Sequence, residues 1–384
     1  MQLDFIKLIW NMSLVCPWDC EFCCTGAVQV KRNGNSIIMV ESGLNHEIRI
    51  ENVDLQQEEF KRITDEGITP NIFDMALQQR QKRGLELSYE QKINVLDNVL
   101  PTKAQIDFAG GDPLVCYENY LVIKEASKKF GKDSIFVTST GASLSRYSLE
   151  EIASVVGTFD FTFDEPINNA PMNRPIGYNN ANISIAKKLA TLNLRTRAQL
   201  PLHSGNLGVS KINDIYTALH DAGITELLLM RIFPVGRGLH WSEFHPALAR
   251  ENYLAAIEQY QELENRLKYP KVVLQCALKN IADKKNVQNP CDLMQNSFGI
   301  SPQGNLLISA WATSFENSPY HDIFVLGNLS KSPLGSLLDT KKVHEYQSKL
   351  NTNWGHCKMF AFATSASKNA NALFEANDPL YISK

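Results

Sequence analysis

Apolar and polar positions along the chain fall into two alternating patterns. LRTRAQLPLH (194–203) places apolar side chains at every second position, the period of a strand. AQIDFAGGDPL (104–114) is a short apolar run ending in a glycine pair, and TELLLMRIFPVGRG (225–238) is a buried-strand pattern ending in a Pro/Gly turn. SIFVTSTGASL (134–144), FDFTFDEP (159–166) and the broken apolar run of the first fifteen residues also have strand character. Between them, YNNANISIAKKLATLN (178–193), SKINDIYTALHDAG (210–223) and ENYLAAIEQYQELENRL (251–267) carry helical periodicity. Strands that alternate with helices predict an α/β fold around a parallel sheet. In barrels of that kind, functional groups gather at the C-terminal strand ends.

A segment at about 27–85 departs from this rhythm. VQVKRNGNSIIMVESGLNHEIRIENV (28–53) predicts hairpin strands around an Asn-Gly turn within RNGN. LQQEEFKRITDEG (55–67) and NIFDMALQQRQKRG (71–84) predict amphipathic helices whose mixed charges face solvent, or else a lid or substrate-docking element.

Composition narrows the function classes. The 384 residues, 44% of them hydrophobic, suffice for one barrel-sized core or two ordinary domains. A net charge of −3 gives no polyanion footprint, so nucleic acid is not indicated. No stretch approaches the roughly 18 apolar residues of a membrane span, and the first residues read as a strand rather than a signal peptide. The expected location is cytoplasmic, where clustered thiols favour metal binding or catalysis over disulfides.

Four of the eight cysteines stand in CPWDCEFCC (16–24). Pro17 and Asp19 disfavour a helix there, so Cys16, Cys20 and Cys23 should lie on a loop after the first strand. Their C-x3-C-x2-C spacing offers three thiolates and no evident fourth. This suits an iron–sulfur cube with one open iron better than a closed four-ligand zinc site, while a structural zinc loop or buried thiols remain the alternative. Cys24 reads as a small buried apolar residue.

The cysteine loop, with Phe22 before its third cysteine, resembles the signature of the radical S-adenosylmethionine (radical SAM) superfamily. Gly110, Gly111, Asp112 and Pro113 are similar to that family's G-G-E-P motif, with aspartate for glutamate. Ser139 matches the strand ending in T-N-G, and Thr162 with Asp164 resembles the S-x-D strand end. The resemblance implies a partial (β/α)6 TIM-like barrel over 1–268 and a [4Fe-4S] cluster on Cys16, Cys20 and Cys23. It also implies S-adenosylmethionine contacts from Phe22, the GGDP residues, Ser139, Thr162, Arg197, Gln199 and Arg231. A side chain at Gly111 is expected to press on the bound cofactor.

Residues 269–384 resemble a degenerate SPASM or twitch extension, a smaller α+β unit. CDLMQNSFGISPQGNLLISAW (291–311) predicts a hairpin turning at Pro-Gln-Gly-Asn, and LGNL (326–329) and NDPL (377–380) also fit. Cys276, Cys291 and Cys357 are candidate ligands of a second, auxiliary cluster, with His356 as a candidate fourth. Ser309 stands where that extension would carry a cysteine, and no cysteine follows Cys357.

The implied chemistry is reductive cleavage of S-adenosylmethionine to a 5′-deoxyadenosyl radical that abstracts a substrate hydrogen. A peptide or protein side chain is the first expected substrate, with flavodoxin or ferredoxin as the reducing partner. A radical SAM enzyme of small molecules (alcohol oxidation or nucleotide rearrangement) and a non-enzymatic Fe–S or zinc protein are the alternatives.

Overall fold

The computed structural model describes residues 5–41, 46–50, 60–164, 173–245, 247–282, 289–314 and 318–381. Its strands begin with β1 (Ile6–Ser13), β2 (Val15–Cys16), β3 (Val28–Asn33), β4 (Ser36–Glu41), β5 (His46–Ile50), β6 (Ala104–Gly110) and β7 (Ile135–Ser139). There follow β8 (Thr158–Thr162), β9 (Arg195–Leu202), β10 (Glu226–Arg231), β11 (Lys271–Leu274), β12 (Ser297–Ile300), β13 (Asn305–Leu307) and β14 (Val325–Asn328).

The larger sheet runs β11-β10-β9-β8-β7-β6-β1-β12-β13-β14. From β11 to β12 every neighbouring pair is parallel, and β13 and β14 continue antiparallel. Helices Tyr89–Val99, Tyr117–Phe130, Leu149–Val155, Tyr178–Thr191 and Val209–Asp221 precede β6, β7, β8, β9 and β10 in turn, and Arg250–Leu267 follows β10. This is the expected partial (β/α)6 barrel. The pattern did not announce β11, whose four residues KVVL add a seventh parallel strand beside β10. Nor did it announce that β12, the first strand of the C-terminal hairpin, lies along the free side of β1.

Period-two burial explains how the sheet faces its helices. Phe159, Phe161 and Phe163 of the β8 region are 1% exposed and join the main core, while Thr158, Asp160 and Thr162 alternate with them. In helix Val209–Asp221 the buried residues are Ile212, Ile215, Tyr216 and Leu219, one stripe at helical spacing. The core therefore fills the layer between strands and helices, leaving polar strand residues on the opposite face.

Strands β2 to β5 form a second, four-stranded sheet. The predicted hairpin is present, but its two-residue loop is Gly34-Asn35, one position beyond Asn-Gly, because Asn33 pairs with Ser36. Gly34 takes φ 58° at the first central position, where a primed turn needs glycine. Val28, Val30, Ile37 and Met39 pack on Ala76 and Leu77 of helix Ile72–Lys82 in a core of their own.

The charges of that helix are not all solvated, as the sequence suggested. Arg80 is fully buried and its Nε donates to Glu86 at 2.6 Å, and Glu86 also accepts the Leu14 N–H at 2.9 Å. Asp74 is buried against Arg146 at 2.8 Å. Glu86 thus links the inserted segment to the chain entering the cysteine loop, and Asp74 links it to the chain that follows β7. Residues 51–59, which begin the first predicted helix of this segment, lie outside the described residues.

Candidate active site

Parallel β1 and β6 bring the cysteine loop and the glycine pair together. Cys16 ends β2, and Cys20 and Cys23 follow on a loop held by a Cys23 N–H to Cys20 carbonyl bond of 3.2 Å. The Gly111 and Asp112 N–H groups donate to the carbonyls of Ser13 and Val15 at 2.7 and 2.9 Å. A Cβ at Gly110 would stand 2.2 Å from the Ser13 carbonyl oxygen, and one at Gly111 2.3 Å from that of Val15. The glycines line the cavity, yet the group that forbids a side chain is the protein backbone. A side chain at Gly111 would therefore meet the Val15 carbonyl, whatever the cavity holds.

The cavity measures about 170 Å³. Cys16, Cys20, Cys23 and Phe22 line it together with Ser139, Thr162, Gln199 and Arg231. Asp112 is turned away. Fully buried, its carboxylate accepts from the Ser139 hydroxyl at 3.0 Å, the Thr140 N–H at 2.9 Å, the Leu114 N–H at 2.9 Å and the Thr140 hydroxyl. Pro113 is buried in the same turn and does not reach the cavity. Arg197 stands further down β9, its guanidinium on Asp160 with an Nε–Oδ1 distance of 3.0 Å. Gln199 connects the two levels: its amide lines the cavity and donates to Asp160 at 3.1 Å. The Arg231 guanidinium is held at both ends by Asp378, at 2.6 and 2.9 Å.

Two arginines escaped the sequence reading. Arg174 donates from Nε to the Cys20 sulfur at 3.2 Å, contacts Asp164, and lies 4.7 Å above the Phe22 ring. Arg237 donates to the Cys20 carbonyl at 2.7 Å. The only signals available were single arginines in NRPIG and PVGRG, each beside a proline or glycine that marks a loop.

These cations divide the thiols. Burial pushes Cys16 well above its ordinary range, with Cys20 and Asp112 adding to the rise. Cys20 is raised by burial against the pull of Arg174. In Cys23 burial opposes the thiolate, but the charge of Arg237 and hydrogen bonds from Thr25 and the backbone leave it below the ordinary value. Cys24 lines the same cavity, its thiol raised mainly by burial.

Cys276, Cys291 and Cys357, far apart in sequence, line one smaller cavity of about 40 Å³. Cys276 opens helix Cys276–Ala282, and Cys357 precedes helix Lys358–Thr364. Burial raises all three thiols, Cys357 to about 12. Ser309 and Lys358 share the lining, whereas His356 stacks on Tyr381 at 4.4 Å and accepts the Asp378 N–H at 3.1 Å instead. Phe233 and Trp311, stacked at 4.5 Å, line both cavities. Among the described residues, no three His, Cys, Asp or Glu side chains converge on the position of a single metal ion.

No protein-family model matches the chain, and no curated protein matches it. Solved structures do. Native anSMEcpe with bound AdoMet and Cp18Cys peptide superposes with a TM-score of 0.56 at 13% identity, over 98% of this chain and 93% of that one. Streptococcus suis SuiB bound to precursor peptide SuiA gives 0.57 at 10% identity, over 98% and 72%. SuiB bound to S-adenosylmethionine gives 0.57 at 12%, over 91% and 70%. At these identities the likeness is one of fold. Among the described residues no helix is long and apolar enough to cross a membrane.

Proposed function

We propose that this protein is a radical SAM enzyme that modifies a peptide or protein side chain. The observation that carries the reading is the meeting of Cys16, Cys20 and Cys23 with the glycine pair and the strand ends in one cavity. The fold is shared with proteins solved with AdoMet and with peptides, which supports the same class of ligands here.

The residues fit a [4Fe-4S] cluster by the chemistry of their donors. Three thiols line one wall, and buried Arg174 and Arg237 offset the negative charge that thiolate ligation brings. Cys16, Cys20 and Cys23 would hold three irons, leaving the fourth open to S-adenosylmethionine. When bound, the cluster supplies the single electron that cleaves the sulfonium to a 5′-deoxyadenosyl radical, chemistry no side chain can provide. The protein's own part is to orient and enclose. Thr162 and Gln199 offer a hydroxyl and an amide to the adenosylmethionine, and the stacked Phe233 and Trp311 shield the far wall from water.

Cys276, Cys291 and Cys357 form a candidate auxiliary site whose three thiols leave a position open. Residues 1–268 would then supply the radical and 269–384 the second site, with a flavodoxin or ferredoxin as the electron source.

Anaerobic reconstitution followed by iron and sulfide analysis and a 5′-deoxyadenosine assay tests the reading. Replacing Cys16, Cys20 and Cys23 with alanine should abolish 5′-deoxyadenosine. Undiminished product from a folded triple variant would sink the assignment. Mass spectrometry of candidate peptides incubated with the active protein tests the substrate class, and a panel of peptides left unmodified counts against it.

A further inference from the structure

The exit loop of β10 lies backbone to backbone on the cysteine loop. A Cβ at Gly236 would be 2.7 Å from the carbonyl oxygens of both Cys23 and Cys24, so only glycine permits the approach. Between Gly236 and Gly238, Arg237 binds that loop at three carbonyls. Its N–H donates to Cys23 at 2.8 Å, Nε to Cys20 at 2.7 Å, and Nη1 to Ala27 at 2.5 Å. Asp19 stands 3.5 Å from Nη1. One side chain thus spans the segment carrying two of the three thiols.

The same guanidinium is incompletely satisfied. Among the described residues Nη2 is buried with no hydrogen-bond partner, in a side chain only 7% exposed that lines the cavity. An unpartnered buried donor on a cation is costly, so its acceptor is to be sought in whatever fills the cavity. The other two cavity arginines are already committed to buried carboxylates, Arg174 to Asp164 and Arg231 to Asp378. Among the described residues, Arg237 has as carboxylate partner only the partly exposed Asp19.

Resting on the radical SAM reading, we propose that Arg237 is a positioning residue. It fixes the cysteine loop through the three carbonyls and directs a cationic N–H at the thiolate-bound cluster, favouring its reduced form. The redox step is uptake of one electron by the oxidised cluster from a low-potential donor that is itself oxidised by one electron. The reduced cluster carries one more negative charge, which a nearby buried cation stabilises.

The test uses the reconstituted full chain without S-adenosylmethionine or substrate. Iron per chain is measured first, then the midpoint potential of the cluster by EPR-monitored titration with dithionite. R237Q is expected to lose at least tenfold in the reduction equilibrium, about 59 mV for one electron. R237K, which keeps the charge, is expected to recover most of that loss. R237Q with full iron and an unchanged potential overturns the proposal. If R237Q assembles no cluster, R237K decides: a cluster near the wild-type potential supports the role, and a cluster lowered tenfold, or none, overturns it. Wild-type protein that takes up no cluster overturns the radical SAM reading and this proposal together, whereas normal wild-type cluster and 5′-deoxyadenosine with insensitive variants overturns this proposal alone.

Discussion

The two cysteine cavities share a wall and little else. The first is built on one contiguous loop, bound by backbone hydrogen bonds to the β10 exit, with the Arg174 guanidinium on the Cys20 sulfur and the Arg237 guanidinium on the loop's carbonyls. The second gathers three cysteines from segments as far apart as 276 and 357 into about a quarter of the volume, and burial raises every thiol there. Thiolates are the metal-binding form. The first site is arranged to offset negative charge, whereas at the second the neighbouring Lys358 acts against the burial that raises Cys291. Local sequence spacing builds the one, and long-range packing builds the other.

The largest effect should separate the cavities outright. Alanine at Cys276, Cys291 and Cys357 is expected to remove about half the iron, taking both sites as cubes, while 5′-deoxyadenosine formation persists. Equal iron in the variant and the intact protein would make the second trio structural. Next comes Gly111→Val. With the Val15 carbonyl 2.3 Å from the added Cβ, the variant should lose iron at the first site along with S-adenosylmethionine binding. Full iron uptake with weak S-adenosylmethionine binding would restore the view that this glycine only makes room for ligand.

Asp378 ties the cavities together, accepting from Arg231 on the first side and from the N–H of Cys357, at 3.2 Å, on the second. Asp378→Ala strips a fully buried partner from a buried cation and should cost about 3–5 kcal/mol in denaturant unfolding. A loss below about 1 kcal/mol would show that the guanidinium finds other partners.

Taken per pH unit, the smallest expected effect is one of pH. Behind Thr138 and Gln199, the first cavity is backed by Asp107 and Asp160, which share Arg197. Burial raises both carboxyls, Asp160 from 3.8 to about 7, and the neighbouring Asp107 adds to the rise at Asp160. The folded protein then binds more protons than the unfolded chain between about pH 4 and 7. Stability should fall as pH rises through that window, by up to about 1.4 kcal/mol per pH unit for one proton. Asp107→Asn should flatten the slope, and an unchanged slope across a urea series would place the proton elsewhere.

The sequence by itself determined the alternation of strands and helices, the cysteine loop, and the glycine pair at the end of β6. Each is encoded locally: periodicity follows from backbone geometry, and a C-x3-C-x2-C spacing fixes how three sulfurs can surround a group. Only the tertiary structure decided what meets across the chain. It brought Arg174 and Arg237 onto the cysteine loop, turned Asp112 into the protein, and set Arg197 on Asp160. It also gathered Cys276, Cys291 and Cys357 and buried Arg80 against Glu86. A lone arginine or cysteine carries no periodicity. Whether its charge or thiol is solvated, paired or aimed at a ligand is settled by the partners that folding brings to it, and most of those partners lie tens to hundreds of residues away.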